Sequence, residues 1–312
     1  MKKVLFLVFF SLLSIGCAQE ENISRKPLVK EQNINIATYN ELTYSYLNSN
    51  MFEKIAEQVN VEITGGSIDN IELLLTNKTD IAFVQSDIAF YARHGLNMYT
   101  GKKIDSIRGI SSLYSEGILI LTLAKNNITA FPAVKGKRLS VGPMGSSMHL
   151  NVLNILAVYD IKPEDIEFSY LSSDVAIEAL LQGEVDVIFI TTAMPVDIIK
   201  DVAKQAKPVF LSLDQLMIDE LITQNPFYTQ MTIEPNTYDI QNYFVNTVAI
   251  KTLLVVNEDV SADMVYNILQ IMYTENIVPK IVGNKEKPFK QQMTEAMSIP
   301  LHEGAKEFLE GK

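Results

Sequence analysis

The chain has 312 residues, a formal net charge of −11 and one cysteine. It offers no basic stripe to neutralise phosphates, so nucleic acid is not an expected partner, and a single thiol allows no internal disulfide. The length is enough for two lobes with cores of their own.

Residues 1–16 read as a signal peptide: Lys2 and Lys3 form a basic start, and the apolar run 4–13 is too short to span a membrane. Ser14-Ile15-Gly16-Cys17 resembles the lipobox of bacterial lipoproteins, with Ser14 standing where that pattern has Leu, Val or Ile. Lipidation of Cys17 is therefore expected, with residues 17–32, polar and aperiodic, as a tether to the membrane.

Residues 33–125 read as a first lobe. The segment 33–38 alternates as a strand and ends in a polar, aromatic tip at 39–46. A helix is expected over 48–58, with Phe52, Ile55, Ala56 and Val59 inward, then a short strand at 61–63. Ser67 is the expected N-cap of a helix that turns Ile68, Ile71, Leu74 and Leu75 to one face. The run 81–84 is a buried strand whose tip becomes polar at Gln85, Ser86 and Asp87, and in open α/β sheets ligands bind outside such strand ends. A helix start follows at 87–93, then strands at 107–114 and 118–124.

Residues 126–244 read as a second lobe, and 245–312 as a return to the first lobe plus C-terminal helices. A strand at 139–142, a Gly/Ser loop at 143–147 and a helix at 148–159 form a layout suited to an anion, because the first N–H groups of a helix are unpaired and its dipole is positive there. Simple capping by Ser146 or Ser147 explains the same residues. Leu150, Leu153, Leu156 and Ala157 are expected inward. Helices at 196–205 and 214–224, an irregular segment at 225–243, a long apolar run at 245–256 and a helix at 262–273 complete the pattern.

One unit occurs twice. Ile71-Glu72-x-Leu74-Leu75 with Asp80-Ile81-x-Phe83-Val84 is echoed by Ile177-Glu178-x-Leu180-Leu181 with Asp186-Val187-x-Phe189-Ile190, at a constant offset of 106 (177 − 71; 190 − 84). Generic similarity between αβ units accounts for some of this. The sharper reading is two similar lobes whose polar strand tips face each other across a cleft. Strands alternating with helices imply mainly parallel sheets flanked by helices, and two chain crossings, near Lys125 and Val245, make a hinge. The expected fold is thus α/β, two-lobed and like a type II periplasmic binding protein.

Catalysis finds little support. His94, His149 and His302 lack metal-ligand spacing, and no nucleophile elbow, metal motif or dinucleotide fingerprint is present. Neither enzyme activity nor a metal or cofactor is expected, and His149 reads as exposed more readily than as a ligand contact.

Six stretches together, TGGSIDNIELLLTNKTDIAFVQSDIAF, YTGKKIDSIRGISSLY, VKGKRLSVGPMGSS, DVIFITTAMP, NPFYTQMTIEPNTY and IPLHEGAKEF, resemble the TAXI family of TRAP-transporter solute receptors. That resemblance implies a periplasmic or cell-surface receptor that captures a small carboxylate or amino acid, glutamate-like or a dicarboxylate, and passes it to a TRAP membrane permease. Carried over onto this chain, the pocket takes Thr38, Tyr39, Thr43 and Tyr44 from the first tip and Gln85 and Ser86 from the second. It also takes Tyr114, the Gly145-Ser146-Ser147 loop, and Thr191 and Thr192. The first tip lacks the family's glycines, which removes close backbone approach, and its Glu41 would repel an acid. Branched Thr191 and Thr192 stand where relatives have glycines and narrow the pocket, and Ser115 replaces a usual proline. Arg93 and Arg108, the cations nearest these motifs, read as exposed or structural. An alternative is a ligand-sensing lipoprotein subunit that feeds a membrane signalling protein. A small-molecule enzyme on the same scaffold lacks its chemical groups.

Overall fold

Two long strands dominate the sheet: β4 (Ile107–Leu123) and β10 (Val245–Asn257), both almost wholly buried. In this computed structural model the described residues are 30–39, 50–275 and 288–311. Cys17, Thr43 and Tyr44, with most of the expected tether and first tip, lie outside them. The remaining strands are β1 (Glu31–Thr38), β2 (Ala56–Ile63), β3 (Ile81–Gln85), β5 (Arg138–Ser140), β6 (Glu167–Ser169), β7 (Val187–Thr192), β8 (Pro208–Phe210) and β9 (Tyr228–Ile233). The helices are α1 (Asn50–Glu53), α2 (Ser67–Leu75), α3 (Ser86–His94), α4 (Ser147–Val158), α5 (Ser173–Gln182), α6 (Ile198–Gln205), α7 (Gln215–Gln224), α8 (Ala262–Thr274), α9 (Phe289–Thr294) and α10 (Glu303–Glu310).

The strand order is β2-β1-β3-β10-β4-β7-β5-β6, with β8 beside β4 and β9 beside β10. The flanks are parallel: β1 pairs with β2 and β3, and β5 with β6 and β7. Every strand paired with β4 or β10 is antiparallel to it. The two flanks repeat one topology, with β3 and β7 innermost, β1 and β5 next, and β2 and β6 outermost. This is a two-lobed, type II binding-protein fold. Its sheet is parallel in the flanks and antiparallel through the centre, where the sequence pattern predicts mainly parallel pairing.

The repeat has a physical basis. The helix–strand unit α2–β3 returns as α5–β7 at the same offset of 106 (173 − 67; 187 − 81). Asp80, just before β3, accepts the Asn35 backbone N–H at 2.7 Å while its own N–H donates to the Asn35 carbonyl. Asp186, just before β7, does the same with Arg138, accepting its N–H at 3.0 Å and gripping its guanidinium as well. Each aspartate thus pins the register of the neighbouring parallel strand, which explains why the Asp-Ile/Val-x-Phe pattern returns.

One apolar cluster is shared by both flanks. It joins Ile71, Leu74, Val84 and Ile88 to Val152, Ile155, Val187 and Phe189. A second lies under the C-terminal helices and buries Phe52, Phe83, Tyr266 and Phe308. Each such side chain is worth roughly 1.5–3 kcal/mol relative to exposure.

Several expected elements differ. Of the helix expected over 48–58, the described part, from residue 50 on, forms only α1 before β2 takes residues 56–63. Val59, Val61 and Ile63 alternate with polar neighbours, a strand pattern, and seven residues pair with β1. The two strands at 107–114 and 118–124 are one, because β4 runs unbroken from pairing with β10 to pairing with β7. The irregular segment 225–243 contains β9, an antiparallel partner of β10. Ser67 begins α2 without capping it, since Gly66 holds the cap position, and Ile68 is exposed. Helix α4 is rotated from its expected face: Asn151, Val152, Ile155 and Leu156 are inward, Leu153 is half-buried and Ala157 exposed.

Candidate ligand-binding cleft

A cavity of about 370 Å³ opens where parallel strands of both flanks end. Helices α2 and α3 start from the ends of β2 and β3, α4 starts from the loop after β5, and Thr191 stands at the end of β7. Residues in the first turn of each of these three helices line the cavity: Ser67, Ile68 and Asp69 of α2, Ile88 of α3, and Ser147 and Met148 of α4. The leading N–H groups of a helix have no intrahelical acceptor, so three positive helix ends converge here.

The hydroxyls are oriented by what they accept. Ser67 Oγ accepts the Gln85 N–H at 3.0 Å, and Ser146 Oγ caps α4 by accepting the His149 N–H at 3.2 Å. Neither hydroxyl donates to an acceptor among the described residues, so each can donate to a ligand. Thr191 Oγ1 is buried and has no partner among the described residues. Gly145, in the left-handed region at φ +76, turns the loop and donates its N–H to His149 Nδ1 at 3.1 Å. Partial burial holds that imidazole below its ordinary pKa.

Behind the cavity sits a buried carboxylate. Glu116 accepts hydrogen bonds from Tyr39 OH, Gln85 Nε2 at 2.7 Å and Thr252 Oγ1 at 2.7 Å. Tyr39 also meets Tyr114 OH at 3.1 Å and Thr252 Oγ1 at 2.7 Å. Burial, then the Glu116 charge, holds the Tyr39 phenol well above its ordinary pKa, so it stays a donor.

A second buried network joins the flanks. Asp87, on α3, accepts from Ser147 Oγ and, at 3.0 Å, from Asn151 Nδ2 of α4, and from the Ile88 N–H at 2.8 Å. Tyr228 OH donates to Asn151 Oδ1, and Asn154 Nδ2 reaches both Tyr91 OH and Tyr228 OH at 3.1 Å. Burial pushes the Asp87 carboxyl from 3.8 up to about 6 against the lowering effect of its three hydrogen bonds.

The expected site residues divide. Gln85, Ser146, Ser147 and Thr191 line one cavity. Ser86 does not: it is fully buried, its hydroxyl donates to the Phe227 carbonyl and accepts the Lys251 N–H, and so it ties α3 to β9 and β10. Tyr39 and Tyr114 sit behind the wall around Glu116. Thr38 is buried, with its carbonyl taken by the Thr64 N–H. Thr192 donates to the Ala193 carbonyl at 3.2 Å, and neither it nor Gly145 lines the cavity. These residues were aligned with a motif, and only tertiary packing separates wall from interior. Arg93 and Arg108 pair with Asp105 and Glu258.

Sequence reasoning passes over Glu116 and Asp69, and it names Asp87 only as part of a polar strand tip. A signal existed for the first. Ser115-Glu116 directly precedes the apolar stretch 118–121 of β4, and Lys251-Thr252 interrupts the apolar run of β10 opposite it. Polar pairs facing each other inside two buried strands mark a polar interior.

The profile of the NMT1-like family matches residues 44–312. Among solved structures, the periplasmic aliphatic sulphonate binding protein SsuA from Escherichia coli aligns with a TM-score of 0.52 and 12% identity, covering 91% of this chain and 80% of that one. A periplasmic sulfonate-binding protein SsuA of a putative sulfonate ABC transporter from Methylobacillus flagellatus KT gives 0.47 and 12% over 86% and 81%. The Escherichia coli likeness is one of fold.

Proposed function

Because the chain belongs to the NMT1-like family, we propose that it is an extracytoplasmic solute-binding protein, lipid-anchored through Cys17, that captures a small organic acid. The cavity carries this reading: three helix starts from both flanks, with the Ser67 and Ser146 hydroxyls donating to nothing else among the described residues, present donors and partial positive charge to one space of about 370 Å³. Such a site suits one carboxylate or comparable oxyanion, held without bond making. The sulfonate-binding proteins of like fold show only that this scaffold serves solute capture elsewhere. The motif resemblance to TAXI receptors supports delivery to a TRAP permease, and the β4 and β10 strands that connect the flanks supply the hinge for closure.

The test is native mass spectrometry of gently purified protein, then a thermal-shift panel of amino acids, carboxylates and sulfonates. A ligand at one hundred times its Kd adds about 2.7 kcal/mol of stability. Gln85→Ala combined with Ser146→Ala should lower affinity at least tenfold. The same pair should cost the ligand-free protein about 2–4 kcal/mol, because Ser146 caps α4 and Gln85 is a donor to the buried Glu116. Wild-type affinity in the double variant would remove this cavity from consideration. Uptake by cells carrying a TRAP permease that proceeds unchanged without this protein would remove the transporter assignment.

A further inference from the structure

The cavity's donors are matched by acceptors that an organic acid alone leaves unused. Gln85 lines the cavity, and its Nε2 donates to Glu116 Oε2 at 2.7 Å. A carboxylate oxygen only accepts, so this contact fixes which end of the amide is nitrogen. The other end, Oε1, has no hydrogen bond among the described residues, so it is an acceptor offered to whatever fills the space. Glu116 is itself held by Tyr39 and Thr252, so among the described residues its three side-chain hydrogen bonds come from neutral donors and no cation is bonded to it. Asp69, at the mouth, spends one carboxyl oxygen on the Gly65 N–H at 3.0 Å and keeps the other. Among the described lining residues Asp69 is the one with a charged side chain, and none of them is basic.

One acid group is therefore accommodated at the helix starts. A second would meet Gln85 Oε1, Asp69 and the field of Glu116, all unfavourable to negative charge. A nitrogen carrying hydrogens meets the same three groups favourably. We propose that Glu116 is a positioning residue that turns the Gln85 amide oxygen into the cavity, and that the site thereby selects zwitterionic acids, with one acid group and one amine, over dicarboxylates and plain acids. This rests on the acid-binding reading given above.

Calorimetry with matched probes tests it: alanine against propanoate, 4-aminobutanoate against butanoate and glutarate, and taurine against ethanesulfonate. In whichever set binds, the amine member should bind about tenfold tighter or more, the worth of one charge-assisted hydrogen bond. In Glu116→Gln the neighbouring side chain both donates and accepts, the Gln85 amide loses its fixed sense, and the preference should fall below about threefold while the plain acid keeps its affinity. Gln85→Met, which removes the amide and leaves Glu116 its other two donors, should lose the preference equally and covers the case in which Glu116→Gln does not fold. Equal binding of amine and plain acid by the wild type, or a preference retained in the variants, overturns this proposal alone. Failure of every acid in the panel to bind the wild type overturns it together with the acid-binding reading.

Discussion

Asp87 is a buried carboxyl whose ionisation is coupled to folding. Its folded pKa, about 6, lies above the ordinary 3.8 because burial disfavours the charge. Between these values the folded protein holds a proton that the unfolded chain has released, so this group's contribution falls as pH rises from about 4 to about 6 and is level above that. The gap corresponds to on the order of 3 kcal/mol. Urea unfolding of wild type and Asp87→Asn at pH 4 and pH 7 checks it: the variant's stability relative to wild type should rise by up to that amount between the two pH values. A constant difference would mean that Asp87 titrates normally. The residue scale also shows the limit of motif reading. Gln85, Ser86 and Asp87 are consecutive, yet one lines the cavity, one bonds strands together and one bridges two helices.

Helices α8 and α10 approach each other closely at Gly304. A Cβ on Gly304 would overlap the Ala262 carbonyl oxygen, which is backbone and cannot turn aside. Gly304→Ala should therefore cost about 3 kcal/mol, the upper end of ordinary overpacking. A Cβ on Gly109 in β4 would strike only the Met297 thioether, whose flexible chain can swing away, so Gly109→Ala should cost about 1 kcal/mol. Thermal melts of the two variants compare them directly, and equal losses would mean that the helix pair shifts as easily as the methionine. Legibility also varied by element. Helices α7 and α8 and strand β10 were plain from caps and apolar runs. Strand β2 was not, because its apolar residues are spaced for either structure and pairing with β1 settles the choice. Strand β9 was hidden by a polar, aromatic composition that matters only once β10 lies beside it.

At the scale of the whole molecule, the flanks communicate through β4, β10 and the buried contact of α3 with α4. Asn151 and Asn154 carry that contact from the α4 side. Replacing both by alanine leaves Asp87, Tyr91 and Tyr228 short of partners in a buried place, a loss on the order of 1–3 kcal/mol per group. We expect small-angle scattering of the ligand-free double variant to show a larger radius of gyration than wild type as the flanks part. An unchanged radius would show that the central strands alone set their spacing. The sequence by itself determined the repeated helix–strand unit, the polar strand tips and the α/β class, because hydrophobic periodicity and the Asp before each inner strand act over a few residues. Only the tertiary structure decided that β4 and β10 run through the centre, that Ser86 and Tyr114 are interior while Ser67 and Asp69 line the cavity, and that Glu116 stands behind Gln85. Those outcomes depend on which strands become neighbours, and pairing partners more than a hundred residues apart leave no local trace in the chain.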